Sequence, residues 1–276
     1  MALNRISSRT AWQLLLKVRS SPVTGPVILG DDTTPLLTTL ADGGWALHVE
    51  PDDQQVEDLF DCFMPLCHPQ SRSKVFAQVG QSLDGRIATV TGASHYINGE
   101  GGLDHLHRLR AMADVVVVGA GTVRADNPRL TVRRVDGRQP DRVVIDPRRG
   151  ITNAYTLFGD QAIPTYRLVA DAPRAGNELQ VADGHAQFTP ESIVRTLHDH
   201  GYQRIFIEGG SQTVSSFLEA GLLDHLHLIV APMIIGSGVP ALQLTDIDTL
   251  DQAHRPNTHV YNLTTDYLFD MRFARP

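Results

Sequence analysis

The sequence predicts an α/β fold with a mixed, mostly parallel sheet, flanked by helices and closed by a C-terminal antiparallel hairpin. Two observations carry this. From residue 74 onward, short β-branched runs alternate with helix-patterned segments, and the last two runs follow one another with no helix between them. A third observation, the different texture of the N-terminal quarter, divides the chain into an extension over 1–73 and a main domain over 74–276.

In chain order, a helix is expected over 9–19, followed by a Pro/Gly/Thr-rich passage, a second helix over 54–63 and a linker over 67–73. The stretch 74–79 reads as a strand, 100–113 as a helix and 115–118 as a strand buried on both faces. Strands follow over 142–145, 205–207 and 225–230, with helices over 190–200 and 212–220. The runs 260–263 and 267–273 form the closing hairpin. Internal repeats, low-complexity tracts and heptads are absent from the sequence.

A chain of 276 residues with 42% hydrophobic side chains can bury an ordinary core. Its apolar runs are too short for a spanning helix, and residues 1–20 lack the apolar core and cleavage site of a signal peptide, so a soluble cytoplasmic protein is expected. Cys62 and Cys67 are too few for a disulfide framework and are expected to be reduced thiols. A net charge of -7 argues against nucleic-acid binding, and no membrane partner is expected. Charge is uneven, however. Between Arg108 and Arg149 there are ten Arg and no Lys against five Asp and no Glu, a local positive excess that can collect a small phosphorylated ligand.

Three glycine-bearing turns stand out. Ser82-Leu83-Asp84-Gly85 follows the first main-domain strand, where Gly85 can take a positive φ. Gly119-Ala120-Gly121-Thr122-Val123-Arg124 has the outline of a dinucleotide fingerprint, but Arg124 stands where a third glycine is needed, which rejects a Rossmann reading. The turn can still offer N–H groups and the Thr122 hydroxyl to a phosphate. Glu208-Gly209-Gly210-Ser211-Gln212-Thr213 is either a second anion cradle or an ordinary helix start capped by Ser211 or Thr213. Glu208, at a strand end, can accept hydrogen bonds from an amino-pyrimidine.

On the 100–113 helix, Arg110 lies within about 20° of Leu103 and about 40° of Leu106 around the axis. It either points inward, to make a phosphate clamp with Arg133, or sits at the solvent edge of a stripe centred on Leu106, Leu109 and Ala113.

Taken together, Phe76-Ala77-Gln78-Val79-Gly80-Gln81-Ser82-Leu83-Asp84-Gly85-Arg86, then Val118-Gly119-Ala120-Gly121-Thr122-Val123 running into Asp126-Asn127-Pro128-Arg129-Leu130-Thr131, then Glu208-Gly209-Gly210 closely resemble one family. It is the riboflavin-pathway pyrimidine reductase, stand-alone or as the C-terminal half of the bifunctional deaminase/reductase. The likeness spans residues 74–273 in the same order. It implies a dihydrofolate-reductase-like fold, a homodimer and an NADPH-dependent reduction of a ribosylamino-pyrimidine 5′-phosphate to the ribitylamino compound. The resemblance matches Gly80, Tyr96, Thr122, Asp126, Gly210, Ser211, Gln212, Thr213, Val214, Ser215 and Ser216 to NADPH-contacting positions. Ser94, Arg110, Leu130, Arg133 and Glu208 match substrate positions, and Asp126 is the candidate for orienting the nicotinamide or relaying a proton. Gln78 stands where many bifunctional members carry Lys, and Tyr96 where many carry Trp. Gln78 can still hydrogen-bond a pyrimidine edge, and stand-alone members often have an amide there, so the resemblance shifts toward that subgroup and leaves the deamination state of the substrate open.

A deaminase partner is not expected. Its zinc needs H-x-E followed by P-C-x-x-C. Here His48-Val49-Glu50 is present, but Cys62 and Cys67 are separated by four residues and no Pro-Cys pair occurs. His225 and His227 share a strand face without a visible third ligand, so no metal is expected. Two alternatives remain open: a reductase of the same fold with another pyrimidine or pterin substrate, and a non-catalytic nucleotide-binding protein. The 1–73 extension has no role assigned by sequence, and its Trp12, Leu14, Leu15 and Leu16 cluster is expected to pack against the core or a dimer interface.

Overall fold

A computed structural model describes residues 5–21, 23–30, 33–69, 73–181 and 188–274. The chain divides into two compact units, Met1–Lys74 and Val75–Pro276.

In the first unit, β1 (Arg5–Ile6) pairs with β5 (Glu50–Pro51), and α1 (Ser8–Ser20) packs on α2 (Gln54–Cys67). Both helices start at side-chain caps: Ser7 Oγ accepts from the Thr10 N–H and Asp53 Oδ1 from the Val56 N–H. Trp12 of α1 meets Phe63 of α2 edge to face, with ring centroids 5.4 Å apart. The Pro/Gly/Thr-rich passage forms a small antiparallel sheet of β2 (Gly25–Val27), β3 (Leu37–Thr39) and β4 (Trp45–Leu47), which the sequence pattern did not reveal. Helix α2 runs through Pro65 to Cys67, into the stretch expected as a linker, and residues 70–72 of that stretch lie outside the described residues.

The second unit is built on a sheet that has nine strands among the described residues. They are β6 (Lys74–Ser82), β8 (Val115–Gly119), β9 (Asp141–Ile145), β10 (Thr165–Val169), β11 (Glu178–Gln180), β12 (Arg204–Ile207), β13 (His225–Ala231), β15 (Asn257–Asn262) and β16 (Tyr267–Arg272). Their order is β11-β10-β9-β8-β12-β6-β13-β16-β15. The β11-β10-β9-β8-β12 run and the β6-β13 pair are parallel, whereas β13-β16-β15 is antiparallel, as the closing hairpin requires. The strands β10 and β11 were not expected. A separate two-stranded ribbon pairs β7 (Arg86–Thr89) with β14 (Gly238–Pro240).

Alternation sorts the sheet's residues to two faces. Val75, Ala77 and Val79 of β6 join Val115, Val117, Ile205, Ile207 and Leu226 in a core closed by α5 (Pro190–Asp199) and α6 (Ser211–Glu219). On the opposite face Phe76 stacks on Phe206 with centroids 5.2 Å apart, and α3 (Glu100–Met112) lies against that face. The start of α3 docks on the β15–β16 turn. The buried Asp266 carboxylate accepts the Gly99 N–H at 2.8 Å, and a Cβ at Gly101 would run into the Leu263 carbonyl oxygen.

Beneath α3 lies a buried polar group. His105 Nε2 is 3.0 Å from His227 Nδ1, and Asp270 accepts from the His225 ring at 2.9 Å and from Arg272 Nε at 2.7 Å. Burial holds the His227 ring neutral, with its pKa down at about 4. Unfolded histidine titrates near pH 6.5, so the unfolded chain takes up this proton first as pH falls. The stability carried by the neutral ring is therefore complete above about pH 6.5 and is lost between there and about pH 4. Urea midpoints should be level above neutrality and decline over that window, with a shallower decline in His227→Asn. A slope that the variant leaves unchanged would contradict the assignment.

Candidate active site

Strands β8 and β12 are parallel neighbours, with Val117 opposite Ile207, so the turns after them emerge side by side. The first turn leads from Gly119 into α4 (Ala120–Asp126), and the second leads through Glu208, Gly209 and Gly210 into α6. The Gly210 N–H donates to Thr122 Oγ1 at 3.0 Å, joining them. The glycines are needed for space rather than for a left-handed backbone. A Cβ at Gly119 would lie 2.9 Å from Thr213 Oγ1, and one at Gly209 would lie 3.0 Å from Thr213 Cβ, although neither residue has a positive φ. Of the expected caps for α6, neither Ser211 nor Thr213 serves. The N-cap is Gly210, with no side-chain cap, and the buried Ser211 hydroxyl has no partner among the described residues.

Three members of the 210–216 run are committed elsewhere, Ser216 among them, its hydroxyl donating to the Thr213 carbonyl at 2.8 Å. The Val214 side chain is in the core, and the Ser215 hydroxyl accepts the Gln243 N–H at 2.8 Å. Only Gly210, Ser211, Gln212 and Thr213 begin the helix beside Thr122. Gly85 takes the expected left-handed φ of 77°. The neighbouring Asp84 is a structural latch: its carboxylate accepts from Ser82 Oγ and from the Ile235 and Gly236 N–H groups, and the Ser82 bond foremost holds it below the usual carboxylate range.

Arg110 points inward and is 5% exposed, whereas Leu106, expected at the centre of the stripe, is only half-buried. Its guanidinium grips Glu208 with both prongs, at 2.6 and 2.7 Å, and donates to the Thr131 carbonyl at 2.9 Å. The clamp imagined from sequence is thus changed. Arg110 is paired with an acid, and the cation that faces solvent is Arg133, whose Nη1 is 3.3 Å from Thr131 Oγ1. Arg134, by contrast, is bound by Glu100 and Asp104. Burial and the neighbouring Arg110 and Arg129 lower the Arg133 pKa, a mark of crowded positive charge.

His107, which sequence reasoning passed over, accepts the Arg133 N–H on its Nδ1 at 3.0 Å. Leu130 is buried and left-handed, with φ 54°. Asp126 ends α4 at an exposed rim. Crowding there raises its carboxyl pKa, with Glu208 pushing the same way and His95 opposing. On the face shared by Phe76 and Phe206, Gln78 and Glu208 each follow two residues later, and Gln78 Oε1 is buried with no partner among the described residues. Gly80, on that face too, has no room for a Cβ because the Asn98 amide lies against it.

The chain is similar to known proteins. The RibD C-terminal domain family matches residues 73–269. The chain belongs to this family. It is 37% identical over 191 residues to the 2,5-diamino-6-ribosylamino-4(3H)-pyrimidinone 5′-phosphate reductase of Methanothermobacter thermautotrophicus, covering 66% of this chain and 87% of that protein. It is 32% identical over 224 residues to the riboflavin biosynthesis protein RibD of Bacillus amyloliquefaciens, covering 75% of this chain but only 59% of that longer protein. Among solved structures it resembles the deaminase/5-amino-6-(5-phosphoribosylamino)uracil reductase of Thermotoga maritima, with TM-score 0.62 and 26% identity over 83% of this chain and 64% of that one. The mixed α/β architecture expected from sequence is that of these RibD reductases.

Not every residue matched to the RibD family is drawn together. Tyr96 is left-handed at φ 66° and 91% exposed, and Ser94 is half-buried in the same loop. The metal question also changes. Asp270 supplies the third ligand atom that the sequence did not show for His225 and His227, all within 4.8 Å of one another. Arg272, 2.7 Å from that carboxylate, already balances its charge and opposes a cation. His48 bonds Thr38 and Glu50 pairs with Arg5, so the H-x-E pair has structural partners. Both cysteines are buried and form no disulfide. No described helix is long and apolar enough to cross a membrane.

The Thr122–Gly210 bond makes a direct test possible. Thr122→Val leaves the Gly210 N–H without its acceptor and should lower stability by about 1–2 kcal/mol in urea unfolding. An unchanged midpoint would show that the turns are not coupled this way.

Proposed function

We propose that this chain reduces a ribosylamino-pyrimidine 5′-phosphate to the ribitylamino compound in riboflavin biosynthesis, with NADPH as reductant. The observation that carries the reading is the Arg110–Glu208 pair, which fixes a carboxylate acceptor beside a loop whose Arg129 and Arg133 are exposed, and next to two glycine turns. A dinucleotide's phosphates fit those turns. The uncapped start of α6 and a Ser211 hydroxyl with no partner among the described residues suit an anion held close to main chain. Thr122 and Gly210 to Thr213 would hold it, with Gly80, Ser94, Tyr96 and Asp126 bordering the site. When bound, the cofactor supplies hydride to the carbon of the opened ribosylamine.

The protein's own part is positioning. Glu208 receives N–H groups of the pyrimidine, Arg133 anchors the phosphate remotely, and the buried Leu130 shields the interval between them. Asp126, whose carboxyl burial raises from its ordinary value, is placed at the rim to relay a proton. Gln78 Oε1 is a buried acceptor awaiting a donor, which a 2-amino pyrimidinone has and a uracil lacks at that carbon. The non-deaminated 2,5-diamino compound is therefore the proposed substrate, the one named for the Methanothermobacter relative. A homodimer is proposed from the family resemblance, and a cytoplasmic site of action from the pathway.

The test is oxidation of reduced nicotinamide dinucleotides by purified protein, with the 2,5-diamino compound and its deaminated counterpart in parallel. Turnover is expected with NADPH and the diamino compound foremost, and a fall of at least about a hundredfold in kcat/KM in Glu208→Gln. Absence of turnover on both pyrimidines would overturn the assignment, and preference for the deaminated one would overturn the role given to Gln78.

A further inference from the structure

The 129–133 loop is gripped along its main chain by side chains from elsewhere. Arg142 donates to the Arg129 carbonyl at 3.3 Å and Arg110 to the Thr131 carbonyl at 2.9 Å. The Gln139 amide takes both polar groups of Val132, each at 2.7 Å. His107 Nδ1 accepts the Arg133 N–H at 3.0 Å. Within the loop Leu130 is left-handed, a conformation that a branched side chain holds only when its surroundings dictate it. The outcome is a rigid segment from which the Arg129 and Arg133 side chains reach solvent.

Among these grips the histidine is chemically singular. To accept on Nδ1, its ring must be neutral with the proton on Nε2. His107 is 1% exposed and sits one helical turn before Arg110 on α3. Burial foremost, and then the Arg110, Arg133 and Arg134 guanidinium groups, hold its pKa down at about 3. The ring is thus a permanent acceptor at neutral pH, placed among cations without adding another.

We propose that His107 is a positioning residue: by fixing the main chain of Arg133 it aims the Arg133 guanidinium, with Arg129 beside it, at the substrate's phosphate. The inference rests on the reading of this site as one for a 5′-phosphate. A residue that merely filled space beneath α3 would affect stability alone. A positioning residue affects affinity for the phosphate group in particular, and an acceptor of similar reach can replace it.

The experiment compares His107→Leu, which removes the acceptor, with His107→Asn, whose Oδ1 can stand in for Nδ1. In the full chain, KM and kcat are measured with the phosphorylated pyrimidine and its dephosphorylated counterpart, and binding of ribose 5-phosphate alone is measured by calorimetry. The leucine variant should weaken ribose 5-phosphate binding by about tenfold, the ratio one such hydrogen bond carries, and raise KM for the phosphorylated substrate by the same factor. Its effect on the dephosphorylated substrate should be within about twofold, and asparagine should restore most of the loss. A leucine variant with a lower melting temperature but unchanged ribose 5-phosphate binding overturns the proposal, as does an asparagine variant no better than leucine. Should the leucine variant not fold, nitrogen NMR of the wild-type ring decides. An unprotonated Nδ1 that responds to ribose 5-phosphate supports the role, whereas a protonated or unresponsive Nδ1 overturns it. The binding arm also separates this inference from the reaction, because ribose 5-phosphate can bind as expected even where no pyrimidine is reduced.

Discussion

The site depends on one buried ion pair. Arg110 and Glu208 are 98 positions apart in the chain, and their side chains are 6% and 18% exposed. Either charge alone in that position would carry a heavy desolvation penalty, so each makes the other's burial tolerable, and the fork-to-carboxylate geometry fixes both orientations. Through the pair, α3 is tied to the end of β12. Through the third guanidinium contact, at Thr131, the same arginine also holds the 129–133 loop. Carboxylate, loop and glycine turns are thereby held in one arrangement before any ligand arrives.

Around that tie the fold supplies close approach. Two parallel neighbouring strands end in turns that interlock through Thr122 and Thr213, and the Thr213 side chain fills the space that a Cβ at Gly119 or Gly209 would need. On the sheet's other flank Gly80 is covered by Asn98, itself anchored near Asp266, so the loop bearing Ser94 and Tyr96 starts from a fixed base. Tyr96 is the exposed, left-handed member of the set.

The order of strands and helices was legible because buried strands such as Val115–Gly119 are nearly pure β-branched runs, and the closing hairpin lacks a helical spacer. The two strands at the opposite edge from that hairpin, and the small sheet of the first unit, were not legible. Thr165–Val169 and Glu178–Gln180 carry charged residues, and the small β2–β4 sheet hides in Pro/Gly/Thr-rich sequence. The direction of Arg110 could not be read from its helix, because α3 buries His105 and His107 while leaving Leu103 and Leu106 partly exposed. That inversion is set by acceptors and charges on distant segments. His107 illustrates it: its partner is the Arg133 N–H, 26 positions away, and periodicity carries no trace of such a bond. The three glycine turns were found by residue type, but the reason for Gly119 and Gly209, the space claimed by Thr213, is visible only in three dimensions.

Arg110 and Glu208 act as one unit, and a double-mutant cycle in urea unfolding measures their coupling. Arg110→Met and Glu208→Gln should each destabilise by about 3 kcal/mol, because each strands a buried partner, while the double variant should cost no more than either single change. Additive losses, with a coupling below about 0.5 kcal/mol, would contradict the claim and reduce the pair to two independent contacts.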